Sequence, residues 1–244
     1  MVRQDVRRCG EPQGNAAVKP TLPLLLSLNA GYVDTAGFLA LQGLFTAHVT
    51  GNFVTLGASL VLGISGVVAK LLALPVFCVV VMLSRLVGNR LRQRKLPALG
   101  ILLAVKLALL IAGAVLAIRL GPFPNGDSLA AIVTGMTLVA AMAIQNAVHR
   151  IHLSAAPPST LMTGTTTQIM IELGDLLGGV AADARPAIMA RLKRMAAAVA
   201  VFAIGCGAAA LGFAFASVWC FVVPPLVALI ALVLRLKAPE EEAK

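Results

Sequence analysis

Long apolar runs alternate with short polar breaks along most of the chain, and the run lengths predict helices of two kinds. Six long helices are predicted at about 21–41, 66–91, 97–120, 128–149, 186–216 and 217–236. Two short helices, at about 51–62 and 163–177, follow the first and the fourth of these. About 20 apolar residues cross a hydrocarbon core of about 30 Å, whereas a dozen span only about 18 Å. The pattern therefore predicts an all-α membrane protein with about six transmembrane helices.

Polar residues and glycines interrupt the apolar pattern in one long segment, residues 31–57, which reads GYVDTAGFLALQGLFTAHVTGNFVTLG. A weaker copy follows in the second half, as AIQNAVHR at 143–150 and STLMTGTTTQIMIELG at 159–174. The turns Thr50-Gly51 and Thr163-Gly164 mark the repeat. Interrupted backbone at membrane depth is tolerated only where it is buried in protein or lines a cavity. We therefore interpret residues 21–236 as one transmembrane domain of two repeats, about 21–120 and 127–236, between tails at 1–20 and 237–244.

Composition and charge agree with this interpretation. Apolar residues make up 59% of the chain and charged residues 12%, against about half and a quarter in soluble domains. The formal net charge is +10, but the Lys and Arg residues cluster between the apolar runs, as they do in cytoplasmic loops. The charge therefore indicates membrane topology. We expect the lipid bilayer as a partner and no nucleic acid.

Two topologies compete for the short helices. If both cross the membrane, eight segments span, and either the basic loop 85–95 or the basic residues of the tail and of 185–194 lie outside. If both are re-entrant, six segments span, and nearly all basic clusters lie inside together with both termini. We favour the second topology, with cytoplasmic N- and C-termini. Each repeat then contains three spans, an odd number, so the repeats are inverted, as in many transporters.

The two Thr-Gly turns form the candidate binding site. A re-entrant helix that begins near Thr50 or Thr163 directs unpaired N–H groups and its positive dipole end into the protein. Two such ends meeting near the midplane would bind an anion or the electronegative part of a polar solute. The alternative is that these residues only cap and pack the helices. The candidate substrate-binding residues are Asp34, Thr50, Gly51, Asn52, Gln145, Asn146, Thr163 and Gly164.

Ionisable side chains inside predicted spans are candidates for function by default. We expect Asp34 and Lys106 to take part in proton coupling or to form an ion pair, while Gln145 and Asn146 take the place of Asp34 in the second repeat. The alternative for Asp34 is a structural role as acceptor for backbone N–H groups of the interrupted segment. The four cysteines form no C-x-x-C pair, and no catalytic motif is recognisable. We therefore expect no catalytic residues, no metal site, no cofactor and no enzymatic activity.

The segments GYVDTAGFLALQGLFTAHVTGN, AIQNAVHR and TLMTGTTT resemble the YoaK-like family of uncharacterised bacterial multi-pass membrane proteins, a domain of unknown function. The resemblance covers residues 25–234. It implies a bacterial inner-membrane protein with about six spans and implies no established activity. The chain differs from the family pattern at Val49, where Met is common, and at Thr165, where Asn is frequent.

Two functions fit these observations. The first is a small secondary transporter or permease for an anion or small polar solute, with proton coupling through Asp34. The second is a membrane accessory or interaction protein without transport, in which Asp34 pairs with Lys106 in a dry core. A chain of this size is also compatible with a homodimer.

Overall fold

The computed structural model describes residues 21–237, and every regular element in that range is helical. The α-helices are α1 (Thr21–Ala40), α2 (Asn52–Leu62), α3 (Val67–Gln93), α4 (Ala98–Leu120), α5 (Leu129–His152), α6 (Met162–Gly178), α7 (Arg185–Ala216) and α8 (Val223–Lys237). A 3-10 turn at Val49–Gly51 precedes α2, and another at Ser217–Val222 joins α7 to α8. The predicted tails, 1–20 and the residues after 237, lie outside the described range.

Four helical stretches between residues 21 and 237 are long and apolar enough to cross a membrane. They are α3, α4, α5 and the continuous stretch Arg185–Lys237, which contains both α7 and α8. The α2 and α6 helices are not among them; they have only 11 and 17 residues. The α1 helix is not among them either, and it carries the polar residues Asn29 and Asp34. The all-helical membrane class is therefore confirmed. The predicted helices are found within about one turn of their positions, except that α8 begins at Val223 rather than at about 217, because a 3-10 turn precedes it.

The outer surface is strongly apolar. Exposed large apolar side chains lie on α2, α3, α7 and α8, for example Val61, Leu71, Phe215 and Leu229. A soluble monomer rarely exposes contiguous apolar area of this kind, whereas lipid tails cover it without cost.

Helices from the two halves of the chain pack against each other. The α1 helix packs most extensively against α7, and α3 packs against α5, so both pairs join one half to the other. Glycines make the α1–α7 contact close. A Cβ atom on Gly31 would lie 2.2 Å from the Phe202 carbonyl oxygen, and one on Gly205 would lie 2.3 Å from the Leu28 carbonyl oxygen. Only glycine allows two helix backbones to approach this closely.

The helix bundle has two distinct ends. At the first, which we call the Asp127 end, the loop between α4 and α5 meets the start of α3. The Asp127 carboxylate accepts hydrogen bonds from the N–H groups of Gly66 (2.8 Å), Val67 (3.2 Å) and Val68 (2.8 Å). Burial raises the pKa of Asp127, but the hydrogen bonds from these amides and from that of Ala69 lower it further, so the net pKa is below the ordinary value of 3.8.

At the opposite end, which we call the basic end, α1 and α4 begin and α5 and α8 finish. An apolar cluster that includes Leu22, Leu102, Leu153 and Ala231 joins these four helices. The last turns of α3, α5 and α8 carry the basic residues here: Arg90, Arg92, His149, Arg150, His152, Arg235 and Lys237. The charges of the described residues are therefore distributed unevenly between the two ends.

Candidate functional site

The segment from Leu41 to Gly66 folds as a hairpin, which we call the first hairpin. After α1, the backbone turns at Gln42 (φ 55°) and Gly43 (φ 82°), both in the left-handed region that glycine favours. Gln42 Nε2 donates to the Phe123 carbonyl oxygen (3.0 Å), and Gly66 lies beside Asp127. Both ends of the hairpin therefore lie at the Asp127 end, while its middle returns along α1.

Asp34 holds the tip of the first hairpin against α1. Its Oδ1 accepts from the N–H groups of Thr46 (2.8 Å) and Ala47 (2.7 Å) and, at 3.4 Å, from that of His48. His48 Nδ1 lies 2.8 Å from Asp34 Oδ2. Asp34 is only 4% exposed, and a buried carboxylate requires partners of this kind. The polar residue predicted at mid-helix thus closes a loop that would otherwise leave buried amides without acceptors.

Asn52 makes the second connection within this tip. Its Oδ1 accepts from Phe45 N (2.9 Å), and its Nδ2 donates to Phe45 O (2.8 Å), so one amide side chain pairs with both backbone polar groups of Phe45. Gly51 packs against the Phe45 ring, which a Cβ atom would approach to 3.0 Å. Thr50 is exposed. The residues of the first Thr-Gly turn therefore lie at the hairpin tip, where α2 begins.

Lys70 closes the base of the first hairpin. Its ammonium group donates to Gln42 O (2.7 Å), Ser59 Oγ (2.8 Å) and Ser65 O (3.2 Å). Lys70 is 3% exposed, and its three N–H donors have three oxygen acceptors. The hydrogen bonds of this lysine are therefore complete, and the Asp127 carboxylate lies near enough to interact with its charge.

A second hairpin runs from Leu153 through α6 and starts from the basic end. Thr160 Oγ1 donates to Asn146 Oδ1 (2.6 Å), and Gln145 Nε2 donates to Ser159 Oγ (3.0 Å). Both bonds join α5 to residues 14 positions later in the chain, the same separation that joins His48 to Asp34. Polar side chains of α5 thus hold the second tip as Asp34 holds the first.

Lys106 belongs to the second tip. Its ammonium donates to Gln145 Oε1, and Gln145 Nε2 also donates to the Leu26 carbonyl oxygen of α1 (2.8 Å). Lys106 and Gln145 are both 0% exposed. Asp34 and Lys106 therefore lie in separate groups, Asp34 with His48 and Lys106 with Gln145, and they form no ion pair with each other in the described structure.

Asn29 lies on α1 between the levels of the two tips. It follows Leu26 by one turn and precedes Asp34 by about 7.5 Å of helix. Asn29 is 1% exposed, and neither its oxygen nor its nitrogen has a hydrogen-bond partner among the described residues. Buried amides are almost always paired, so this side chain requires an explanation.

The second Thr-Gly turn is more open than the first. Thr163 and Gly164 are the second and third residues of α6, and both are exposed. Thr163 lines an open cleft of about 520 Å³ with Met162 and Met170. Gly164 lines another of about 280 Å³, which also contains Arg150 and Met195.

The structure thus distributes the predicted residues over three places. The first tip contains Asp34, Gly51 and Asn52, with Thr50 at its surface. The second tip is held by Gln145 and Asn146 together with Lys106. The two open clefts are lined by Thr163 and Gly164. Two buried residues that the prediction omitted, Ser159 and Thr160, contribute to the second tip, and a third, Asn29, lies between the levels of the tips without a described partner. The recurring 14-residue separation between polar residues was the signal in the sequence that could have identified Ser159 and Thr160.

Comparison with known proteins assigns the chain to a family. A family model described as "Protein of unknown function (DUF1275)" matches residues 22–234. The chain belongs to this family. The chain is also similar to the UPF0700 transmembrane protein YoaK of Bacillus subtilis (strain 168), with 51% identity over 45 residues, which cover 18% of this chain and 20% of that relative. The expected YoaK-like membrane family is therefore confirmed. No solved structure matches the chain.

Proposed function

We propose that this DUF1275 member is a small secondary permease for an anion or small polar solute, built from six spans in two inverted repeats. The paired hairpins are the observation that carries the proposal. The first starts and finishes at the Asp127 end, the second starts from the basic end, and each has a buried polar tip held by α1 or α5. Broken segments that enter from opposite sides and approach each other inside the protein are the usual substrate site of inverted-repeat transporters.

The helix directions support inverted repeats. The α1 helix begins at the basic end, where Leu22 packs with Leu153 at the end of α5. The first helices of the two repeats therefore run in opposite directions. The third elements, α3 and α7, do likewise. The α3 helix begins beside Asp127, whereas α7 is followed at that end by Val218, which lies close to Gly121.

The charges support an orientation. Basic residues in the last turns of α3, α5 and α8 lie at one end, and Asp127 lies at the other. Positive charge accumulates on the cytoplasmic side of inner-membrane proteins. In our proposal the basic end therefore faces the cytoplasm, and both termini are cytoplasmic.

Within this proposal, Asp34 is a positioning residue rather than the proton carrier. Its two oxygens already accept from three backbone amides and from the His48 ring. Protonation of the carboxyl group would weaken these bonds and release the tip. Proton movement through Asp34 would therefore require the hairpin to open.

An accessory protein without transport is the second candidate. It is favoured by the hydrogen bonds that already satisfy most polar groups of both tips, and by the open form of the clefts at Thr163 and Gly164. The two candidates differ in whether a solute crosses the membrane.

Topology is tested first, by labelling single cysteines with an impermeant maleimide in a background without the four native cysteines. We expect Gln42→Cys and Ser65→Cys to react from one side of the membrane, and Ser154→Cys and Ala182→Cys to react from the other. If the two members of either pair react from opposite sides, the short helix between them crosses the membrane and the proposed re-entrant arrangement is wrong.

Function is tested by flux of anions and small polar solutes into proteoliposomes. We expect saturable flux in the wild type and a loss of at least about tenfold in Thr160→Val, which removes the hydroxyl that binds Asn146. Thr137→Val is the matched control, because the half-buried Thr137 hydroxyl bonds only to its own helix. Absence of flux for every solute, with wild-type folding, would favour the accessory protein.

A further inference from the structure

Two lysines are buried in the described structure, and their surroundings differ. Lys70 is 3% exposed and donates to three oxygens. Lys106 is 0% exposed and donates to one, the amide oxygen of Gln145. An ammonium has three donors, so two donors of Lys106 have no acceptor among residues 21–237. A buried charge with this little compensation is costly unless a negative partner accompanies it.

The neighbours of Lys106 do not supply that negative charge. Gln145 is neutral, and its nitrogen already binds Leu26 O and Ser159 Oγ. Asp34 is bound to His48 and the first hairpin. Glu172, the other buried carboxylate in the described range, pairs with Arg191. A charged Lys106 therefore has no compensating negative charge among the described residues.

Two further donors lie close to this network. Ser159 Oγ accepts from Gln145, which leaves its own hydrogen to donate. Asn29 follows Leu26, the residue that anchors Gln145, by one turn on the same face of α1. Its amide is buried and has no partner among the described residues. The unpaired amide of Asn29, one turn along α1 from Leu26, and the under-coordinated ammonium of Lys106 are both donors that an anion would satisfy.

We propose that a small monovalent anion binds at the Lys106 ammonium, with the Ser159 hydroxyl and the Asn29 amide as further donors. The anion rather than a cation is selected because the group offers one positive charge and no uncommitted carboxylate. Its small size follows from the complete burial of Lys106 and Gln145. This inference rests on the proposed permease and names its solute class and its position, at the tip of the second hairpin beside α1.

The test is anion-dependent thermal stabilisation of the full-length protein in detergent, at constant ionic strength. Sodium nitrate, chloride and formate are compared with sodium gluconate, whose anion is too large for the site. We expect a saturable rise of the unfolding temperature with at least one small anion. In Lys106→Met the apparent affinity should fall at least about tenfold, because the charge that the anion pairs with is gone. Ser159→Ala, a milder change, should weaken binding without abolishing it.

Lys70→Met is the matched control. It removes a buried lysine that is already satisfied, so it should lower stability and leave the anion response unchanged. An unchanged response in Lys106→Met, or identical unfolding temperatures in gluconate and all three small anions, would overturn the anion site. Loss of the response in Lys106→Met without flux in proteoliposomes would keep the site and reject the permease. Flux in the wild type together with an intact response in Lys106→Met would keep the permease and reject the anion site.

Discussion

Asp34 provides the sharpest test of how the first hairpin is held. Asp34→Ala removes the acceptor of two short, buried hydrogen bonds, from Thr46 N (2.8 Å) and Ala47 N (2.7 Å). A buried donor left without an acceptor costs about 1–3 kcal/mol. The two amides together therefore predict a loss of about 2–6 kcal/mol in the free energy of unfolding.

Asp34→Asn separates the role of charge from that of geometry. Its remaining oxygen can still accept from both amides, and its amide can donate to His48 Nδ1. Charged hydrogen bonds are about twice as strong as neutral ones, so we expect a smaller loss of about 1–2 kcal/mol.

Unfolding by denaturant titration in detergent micelles measures both losses. Ser27→Ala is the control on the same helix, because Ser27 is buried but bonds only to the Pro23 carbonyl oxygen of its own helix. The reasoning would be refuted if Asp34→Ala cost less than about 1 kcal/mol, or if both substitutions at Asp34 cost the same.

Two further predictions concern the helix contact and the loop at the Asp127 end. Gly205→Ala forces a Cβ atom to 2.3 Å from a carbonyl oxygen of α1, and overpacking of this kind costs about 1–3 kcal/mol. In Gly207→Ala, the control, the new Cβ meets no atom within 4 Å. Thermal unfolding should therefore show a lower unfolding temperature for Gly205→Ala and an unchanged one for Gly207→Ala. The pKa of Asp127 is lower in the folded state, so its contribution to stability is complete above the ordinary value of 3.8 and disappears as the pH falls through the lowered value. Unfolding temperatures measured between pH 6 and pH 2 should fall less steeply in Asp127→Ala than in the wild type, and equal slopes would contradict this account.

Hydropathy and turn residues were sufficient to predict the helices. The apolar runs are long, and Gly, Pro and polar breaks separate them, so the boundaries agree with α1 to α7 to within about a turn, and only the start of α8 differs by more. The duplicated Thr-Gly turns likewise directed attention to the two regions that fold as hairpins. These are local signals, which depend on residues close together in the chain.

Most partners of the buried polar residues could not be predicted in this way. For Asp34 the alternatives included Lys106 and backbone N–H groups of the interrupted segment, and the structure shows the latter together with His48. Lys106 instead meets Gln145, 39 residues later in the chain. Such pairs depend on which helix faces meet, and the strong apolar character of all the long helices hides their inward faces from hydropathy analysis.

The packing of α1 against α7, from the other half of the chain, also constrains the order in which the fold can assemble during synthesis. The α1 helix carries Asn29 and Asp34, and it is not among the stretches that are apolar enough to span a membrane by themselves. Its principal partner, α7, is synthesised only after α2 to α6 have emerged. Asp34 can meet its partners at residues 46–48 as soon as the first hairpin has been synthesised. The close backbone contact between α1 and α7 can form only later, when Gly205 reaches Leu28.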